Sequence, residues 1–387
     1  MVLSPTGHEP ARRANDGTRA NRQCQATRPR RRCWHNADPA APETRLPPAC
    51  PAPLSRRLSV APMMDCTDRH ARYLLRLISR HALLYTEMVT AQALLRGDAD
   101  YLIGYSQAEH PLALQLGGSD PAQLAQAAHI GADFGYDEIN LNVGCPSDRV
   151  QSGRFGACLM AEPALVGECV AAMQAAVSIP ITVKCRIGID RTDRDEDLFE
   201  FVEIVAAAGC RHFTVHARKA WLDGLSPRQN REIPPLRYET VYRLKRLRPE
   251  LEIVINGGVT DLDQALAHLQ HVDGVMIGRA AYHSPWLLAE ADRLVFGQIT
   301  PLPERAAVLA SYLDYMQARR GLGTPLSALT RPLLGLFQGE PGARAWRRAL
   351  SAPASGERAM AQIMAAGRRV LAAGDEPAAV EQPQPSG

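Results

Sequence analysis

From Leu58 onward, short apolar runs alternate with stretches whose apolar residues recur at helical spacing. The best-marked run is Glu138–Val143. There Ile139, Leu141 and Val143 alternate with Asn140 and Asn142, the period of a half-buried strand. Further runs of strand character are Leu58–Ala61, Leu84–Glu87, Leu112–Leu116, Ile181–Arg186, His212–Ala217, Glu252–Asn256 and Gly274–Ile277, which makes eight. Between them, helical patterns cover Arg69–Arg80, Pro121–Ile130, Pro163–Val177, Asp195–Ala208 and Leu262–His271. Pro121 after Ser119-Asp120 is a helix start. Eight strand–helix units predict an α/β fold, a (β/α)8 TIM barrel, over residues 56–300. A doubly wound parallel sheet is the alternative, and the order of the motifs at the strand ends favours closure.

Beyond Pro303 the strand signal ends. Glu304–Arg320, Pro325–Phe337, Ala343–Ser351 and Glu357–Ala372 read as helices of a separate small domain over residues 301–373. Residues 1–55 are rich in Arg, Pro and Ala without periodicity and cannot bury a core. They are expected to be disordered, as is the polar tail 374–387. The Arg28–Arg32 segment has the charge to touch RNA. A dispensable extension or an early start codon is the favoured reading of the arm, and an Arg-rich transit peptide the weaker one.

Composition narrows the class. At 46% hydrophobic residues the chain suits a globular protein, and no run approaches the ~18 uncharged apolar residues of a membrane span. No apolar segment of a secretory signal opens it. The nine cysteines form no CxxC pair and no metal-type spacing with His, which argues against zinc or iron–sulfur sites and fits a reducing cytoplasm. Net charge is +3, but residues 1–57 hold 11 Arg against 4 acids, leaving 33 basic and 37 acidic residues, or −4, for the rest. The folded body therefore needs a local basic stripe if it is to hold nucleic acid. Of 44 basic residues only Lys184, Lys219 and Lys245 are lysines, so each invites a question that Arg does not answer.

The candidate chemistry lies at the strand ends, where a parallel barrel binds its ligands. Glu138–Val143 stops at Gly144-Cys145-Pro146-Ser147, a sharp turn that puts Cys145 on a loop. Cys158, Cys169, Cys185 and Cys210 sit among apolar or small neighbours and read as core. Cys145, among Asn, Gly, Pro, Ser and Asp, reads as reactive. The first strand ends in Pro62-Met63-Met64-Asp65; the Met pair is either gap filler or an apolar bed for a flat ring. The third ends at Gln115, whose amide suits the edge of a heterocycle. Lys184 lies inside an apolar run, as a Schiff-base nucleophile or as a fixed cation beside an anionic cofactor. His216 ends the sixth strand; Asn256-Gly257-Gly258 and Gly278-Arg279 end the seventh and eighth, the usual phosphate site of a barrel. Together these residues describe a site for a phosphorylated planar ligand facing Lys184 and Cys145, and flavin mononucleotide fits it.

With these motifs assembled the chain resembles the tRNA-dihydrouridine synthases, specifically the A-type subfamily. The carrying text is APMMDCTDRH, LLYTEMVT, ALQLGGSDP, DEINLNVGCPSDRVQSGRFGACLM, VKCRIGID, HARKAWLDGLSPRQNREIPPL, INGG and RPLLGLFQGEPGARAWRR, from about Leu58 to Arg348. The resemblance implies that Pro62, Met63, Met64, Gln115, Lys184 and His216 contact FMN and that Asn256, Gly257, Gly258, Gly278 and Arg279 take its phosphate end. It implies that NADPH is the reductant and that the C5=C6 bond of D-loop uridines 20 and 20a in tRNA is reduced. Cys145 is then the proton donor to C5, since a cysteine thiol in water is mostly protonated at neutral pH. Asn142, Lys219, Arg228 and Arg231 on the barrel, and Arg344, Arg347 and Arg348 on the helical domain, become the RNA contacts. The target uracil has to leave its stack to be reached. No metal is expected, and a monomer is. One departure stands out: Cys66 follows Asp65 where the pattern has an aromatic residue.

Three rivals remain at this stage. Another FMN barrel enzyme acting on a free pyrimidine or enone needs no basic helical domain. A Schiff-base aldolase uses Lys184 and no flavin. A non-catalytic RNA-binding protein relies on the Arg-rich arm.

Overall fold

The computed structural model describes residues 54–351 and 357–374. The expectations for residues 1–53 and for the tail beyond Gly374 lie outside the described residues.

Among the described residues nine parallel strands are present: β1 Leu58–Val60, β2 Leu83–Tyr85, β3 Val89–Thr90, β4 Leu112–Gly117, β5 Glu138–Val143, β6 Ile181–Arg186, β7 His212–His216, β8 Glu252–Asn256 and β9 Gly274–Ile277. Each neighbour in the order β1-β9-β8-β7-β6-β5-β4 is paired, and β2 bonds both β1 and β4, so eight strands close into a barrel. Helices on the connections, such as Arg69–Ile78, Pro121–Asp133, Pro163–Ala176 and Asp195–Ala207, cover its outside. This is the TIM barrel that the strand–helix alternation predicts.

Two local departures have physical causes. The second strand is expected to run to Glu87 but breaks after Tyr85. The Gln115 amide N–H donates to the Thr86 hydroxyl at 3.0 Å instead of to a backbone carbonyl, and pairing resumes at Val89 opposite Leu116. The expected helix Pro325–Phe337 is two pieces, Leu326–Thr330 and a 3-10 turn at Pro332–Gly335. Pro332 lacks the N–H that would carry the helix through.

The alternation in β5 also reads differently in three dimensions. All six residues are buried, not half of them. Ile139, Leu141 and Val143 pack into the main apolar core with residues of the covering helices, such as Val166 and Val170. Glu138, Asn140 and Asn142 take the other face, which is the sealed barrel interior and not water.

The C-terminal helices begin with Arg305–Gly321 and end with Glu357–Gly374. Tyr312, Tyr315, Leu333 and Trp346 belong to the same continuous core as the barrel residues. The join is aromatic: Tyr73, on the first barrel helix, stacks on Tyr315 with ring centroids 4.0 Å apart. Asp68, which caps that helix by accepting from the His70 and Ala71 amides, also pairs with Arg331 at 3.0 Å.

Candidate active site

Register brings the strand-end residues into one ring. Asn142 on β5 stands opposite Lys184 on β6, Arg186 opposite His216 on β7, and His216 opposite Asn256 on β8. Residues two apart on a strand share a face, so Lys184 and Arg186 both face the mouth.

The loop that carries Cys145 is held from several sides. Asn142 Oδ1 accepts the amides of Gly144 at 3.1 Å and Cys145 at 3.0 Å, capping the turn. Arg186 Nε donates to the Gly144 carbonyl at 2.8 Å, and the Ala157 amide donates to the Cys145 carbonyl at 2.9 Å. Gln151 Nε2 ties the Pro146 carbonyl, at 3.0 Å, to that of Leu222, at 2.7 Å. Gly156 is needed for this: it has φ +76, and a Cβ there would lie 2.6 Å from the Cys145 carbonyl oxygen. The half-buried thiol itself lies 3.5 Å from the Ser147 hydroxyl.

The charge at the mouth is one-sided. Lys184 Nζ donates to Asn256 Oδ1 at 3.3 Å, and among the described residues no carboxylate pairs with it. Arg186 gives its remaining bonds to carbonyls, Lys219 at 2.9 Å and Asn230 at 3.1 Å. Burial, with Arg186 close by, lowers the Lys184 ammonium to about 8. Burial likewise lowers Arg186 to about 10 and holds the His216 imidazole well below its ordinary value. Two cations that pair with no acid among the described residues, in a partly sealed mouth, fit a ligand that is anionic or becomes so.

Next to them, after Asn256, is a backbone cradle. Gly257 has φ +118, and a Cβ would meet the His216 ring at 2.6 Å. Gly258 follows with φ +76, while a Cβ at Gly278 would meet nothing nearer than 4.0 Å. Met63 is partly buried against the barrel core and Met64 is 56% exposed beside it, with Pro62 half-buried before them. A flat, phosphorylated ring system fits these features: an apolar bed, open glycine backbone and unpaired positive charge.

Not every expected contact stands free. Gln115 is buried below the mouth; its Nε2 donates to Asn140 and its Oε1 accepts from Asn142, each at 2.8 Å. Asn142 is spent on Gln115 and the Cys145 loop, which puts it under the site and not on an RNA-facing surface. Asn256 accepts from Lys184 and donates to the Met276 carbonyl at 2.7 Å. Lys219 pairs with Asp193 at 2.9 Å and lies over the Trp221 ring. Arg279 and Arg228 both pair with Glu232, at 2.8 and 3.5 Å, on the exposed rim. Arg231 is exposed there too. Arg344 and Arg348 are exposed on the Ala343–Ser351 helix and Arg347 bonds Gln338; among the described residues none of the three bonds a barrel loop. Cys66 sits half-buried at the mouth. Arg186 is the residue that the sequence reading passes over. Its signal was its place two positions after Lys184, on the same face.

A family model described as "Dihydrouridine synthase (Dus)" matches residues 59–370. The chain is 62% identical over 294 residues to the tRNA-dihydrouridine(20/20a) synthase of Synechocystis sp., covering 76% of this chain and 88% of that protein. To the protein of the same name from Shewanella oneidensis it is 60% identical over 298 residues, 77% of this chain and 89% of the relative. For Escherichia coli K12 the figures are 59% over 298 residues, 77% and 86%. With a model match over most of its length and relatives at this identity, the chain belongs to the dihydrouridine synthase family.

Proposed function

We propose that this protein reduces the C5=C6 bond of D-loop uridines in tRNA, at positions 20 and 20a, to 5,6-dihydrouridine. The single observation that carries this is the pairing of a pinned, half-buried Cys145 with two mouth cations, Lys184 and Arg186, that no carboxylate among the described residues pairs with. The names of the relatives supply the substrate class and the positions.

FMN is the cofactor in this reading. Pro62, Met63 and Met64 would form its bed, with Gln115, Lys184 and His216 at the ring and Asn256, Gly257, Gly258, Gly278 and Arg279 towards its phosphate. When bound and reduced by NADPH, it supplies the hydride for C6 of the uracil. The protein does the rest. Lys184 and Arg186 stabilise negative charge in a mouth where water screens it little. Asn142, Arg186 and Ala157 hold the Cys145 loop so that the thiol carries a proton towards C5. Closing a flipped uracil against the mouth excludes water from that transfer.

For the RNA body, Arg228, Arg231, Arg344, Arg347 and Arg348 supply the positive charge, in keeping with recognition of folded RNA by shape and backbone. Lys219, tied to Asp193, orders its own loop and contributes through it.

The test uses the full chain with bound flavin, NADPH and unmodified tRNA. The expected result is a gain of two hydrogens at the D-loop uridines by mass spectrometry of the digested RNA. RNA-independent oxidation of the reduced protein with a free pyrimidine, and no gain in tRNA, would overturn the reading.

A further inference from the structure

The barrel interior holds a continuous line of side-chain hydrogen bonds from its floor to the Cys145 loop. At the floor, Glu138, which is 0% exposed, accepts from Arg56 Nε at 2.6 Å, from the Tyr85 hydroxyl at 2.6 Å and from the Thr182 hydroxyl at 2.7 Å. Thr182 accepts from Asn140 Nδ2 at 2.8 Å; Asn140 Oδ1 accepts from Gln115 Nε2 and Gln115 Oε1 from Asn142 Nδ2, both at 2.8 Å. Asn142 Oδ1 then accepts the Gly144 and Cys145 amides.

The direction of this line is set at its two ends, which agree. A carboxylate only accepts, so Thr182 must donate to Glu138 and therefore receives from Asn140. That forces the Asn140 oxygen towards Gln115, the Gln115 oxygen towards Asn142, and the Asn142 oxygen towards the loop. Asn140 and Gln115 alone fit their slots equally well flipped, because the oxygen and nitrogen ends of an amide are nearly the same size. The carboxylate on the floor and the two N–H groups of the loop choose the same sense. The reversed sense would present Asn142 Nδ2 to two backbone N–H groups, donor against donor, and the turn that places Cys145 would lose its cap.

We propose that Glu138 is a positioning residue for Cys145, acting through Thr182, Asn140, Gln115 and Asn142. This deepens the functional reading above and rests on it only for the consequence in turnover; the placement of the loop stands apart from it. Arg56 belongs to the device, because its donors also hold one Glu138 oxygen as an acceptor. In a Glu138→Gln protein that oxygen stays with Arg56, and the new NH2 faces Tyr85 and Thr182. Thr182 then turns to donate to Asn140 and the line reverses. If Thr182 accepted from both sides, its proton would be unpaired in a sealed interior.

The test compares the full-length wild type with Glu138→Gln, Thr182→Val and the double variant. The readouts are the rate at which iodoacetamide labels the Cys145 peptide, by mass spectrometry, and uridine reduction in tRNA. Glu138→Gln is expected to raise labelling of Cys145 by about tenfold, the scale of a lost hydrogen-bonded cap. In the Thr182→Val background, where the line is already cut, Glu138→Gln is expected to change labelling by less than about twofold. Equal effects of Glu138→Gln in both backgrounds, or wild-type labelling in the single variant, would overturn the proposal. Should Glu138→Gln not fold, Thr182→Ser and Thr182→Val decide: Ser, which keeps the hydroxyl, labels as wild type, and a Val protein that did the same would refute the line. Labelling that follows this pattern in a protein that never reduces uridine defeats the functional reading and leaves this one standing.

Discussion

Lys184 on β6 reaches past β7 to Asn256 on β8, and that amide oxygen, at 3.3 Å, is the partner its ammonium has in place of a carboxylate. The consequence is a measurable pH dependence. The folded chain holds Lys184 at about 8, below the ordinary 10.5, through burial first and Arg186 second. Below pH 8 both folded and unfolded chains carry the charge, and the fold bears its full cost. Between about 8 and 10.5 only the unfolded chain keeps the proton, so flavin-free protein gains stability from Lys184 as pH rises through that window. The gain is at most about 3 kcal/mol and smaller in so far as water reaches the half-buried ammonium. Lys184→Met removes the titration. Thermal melts from pH 7 to 11 are expected to diverge, wild type gaining on the variant above about pH 8; parallel curves would show that Lys184 is not held low.

Cys145→Ala is expected to retain flavin, because no cradle residue loses a contact, and to lose turnover on tRNA by about 10²- to 10⁴-fold, the usual worth of a placed acid. Reduction of the bound flavin by NADPH is expected at the wild-type rate. Stopped-flow spectra separate the two half-reactions. Full turnover by the alanine variant would take the acid role away from this thiol.

Arg186 makes three bonds to two loops, at Gly144 after β5 and at Lys219 and Asn230 after β7. A lysine has charge but not the planar fork that spans them. Arg186→Lys is therefore expected to fold, keep flavin and lose about tenfold or more in turnover at saturating tRNA, since the loop of Cys145 is the nearer of the two to the chemistry. A change confined to KM for tRNA would assign Arg186 to RNA binding instead.

How these residues could be read from the sequence differs by position. Cys145, Lys184 and His216 were legible because each breaks its own surroundings: a thiol among turn formers, an ammonium in an apolar strand, an imidazole before a polar loop. Arg186 was hidden by abundance, since Arg outnumbers Lys so heavily here that only its place two positions after Lys184 marks it out. Glu138, Asn140 and Thr182 were hidden for another reason. Alternation marks two faces of a strand but does not say that the polar face looks into a closed barrel, where its polar atoms must satisfy one another. Closure is a property of all eight strands, and the bonds of Asn142 to Gln115 and of Asn256 to Lys184 show only once it is known.

Gly257 tests the cradle. Its φ of +118 suits no side chain, and a methyl group would sit 2.6 Å from the His216 ring. Gly257→Ala is expected to cost about 1–3 kcal/mol in stability and to push His216 and the neighbouring turn out of place. The purified variant should hold flavin at a small fraction of wild-type occupancy, read from its visible absorbance per protein. Wild-type occupancy would move the flavin's phosphate end elsewhere on the mouth.

Tyr315 tests whether the helical segment is a separable appendage. Its ring stacks on Tyr73 at 4.0 Å and its hydroxyl meets His70 Nδ1 at 2.7 Å, both on the first barrel helix. Burial pushes the His70 imidazole down to about 4, so the ring is neutral at physiological pH and the contact is a hydrogen bond between uncharged partners. Tyr315→Phe removes that bond and keeps the stack, and is expected to cost about 1 kcal/mol. Tyr315→Ala removes the stack as well, from a side chain 2% exposed, and is expected to cost about 3–5 kcal/mol. Because the core is continuous from barrel to helices, the whole chain should still melt in a single transition, at a lower temperature. A second, earlier transition with the barrel's flavin still bound would mean that the helices unfold by themselves. Arg344 and Arg347 would then ride on an independently folding domain.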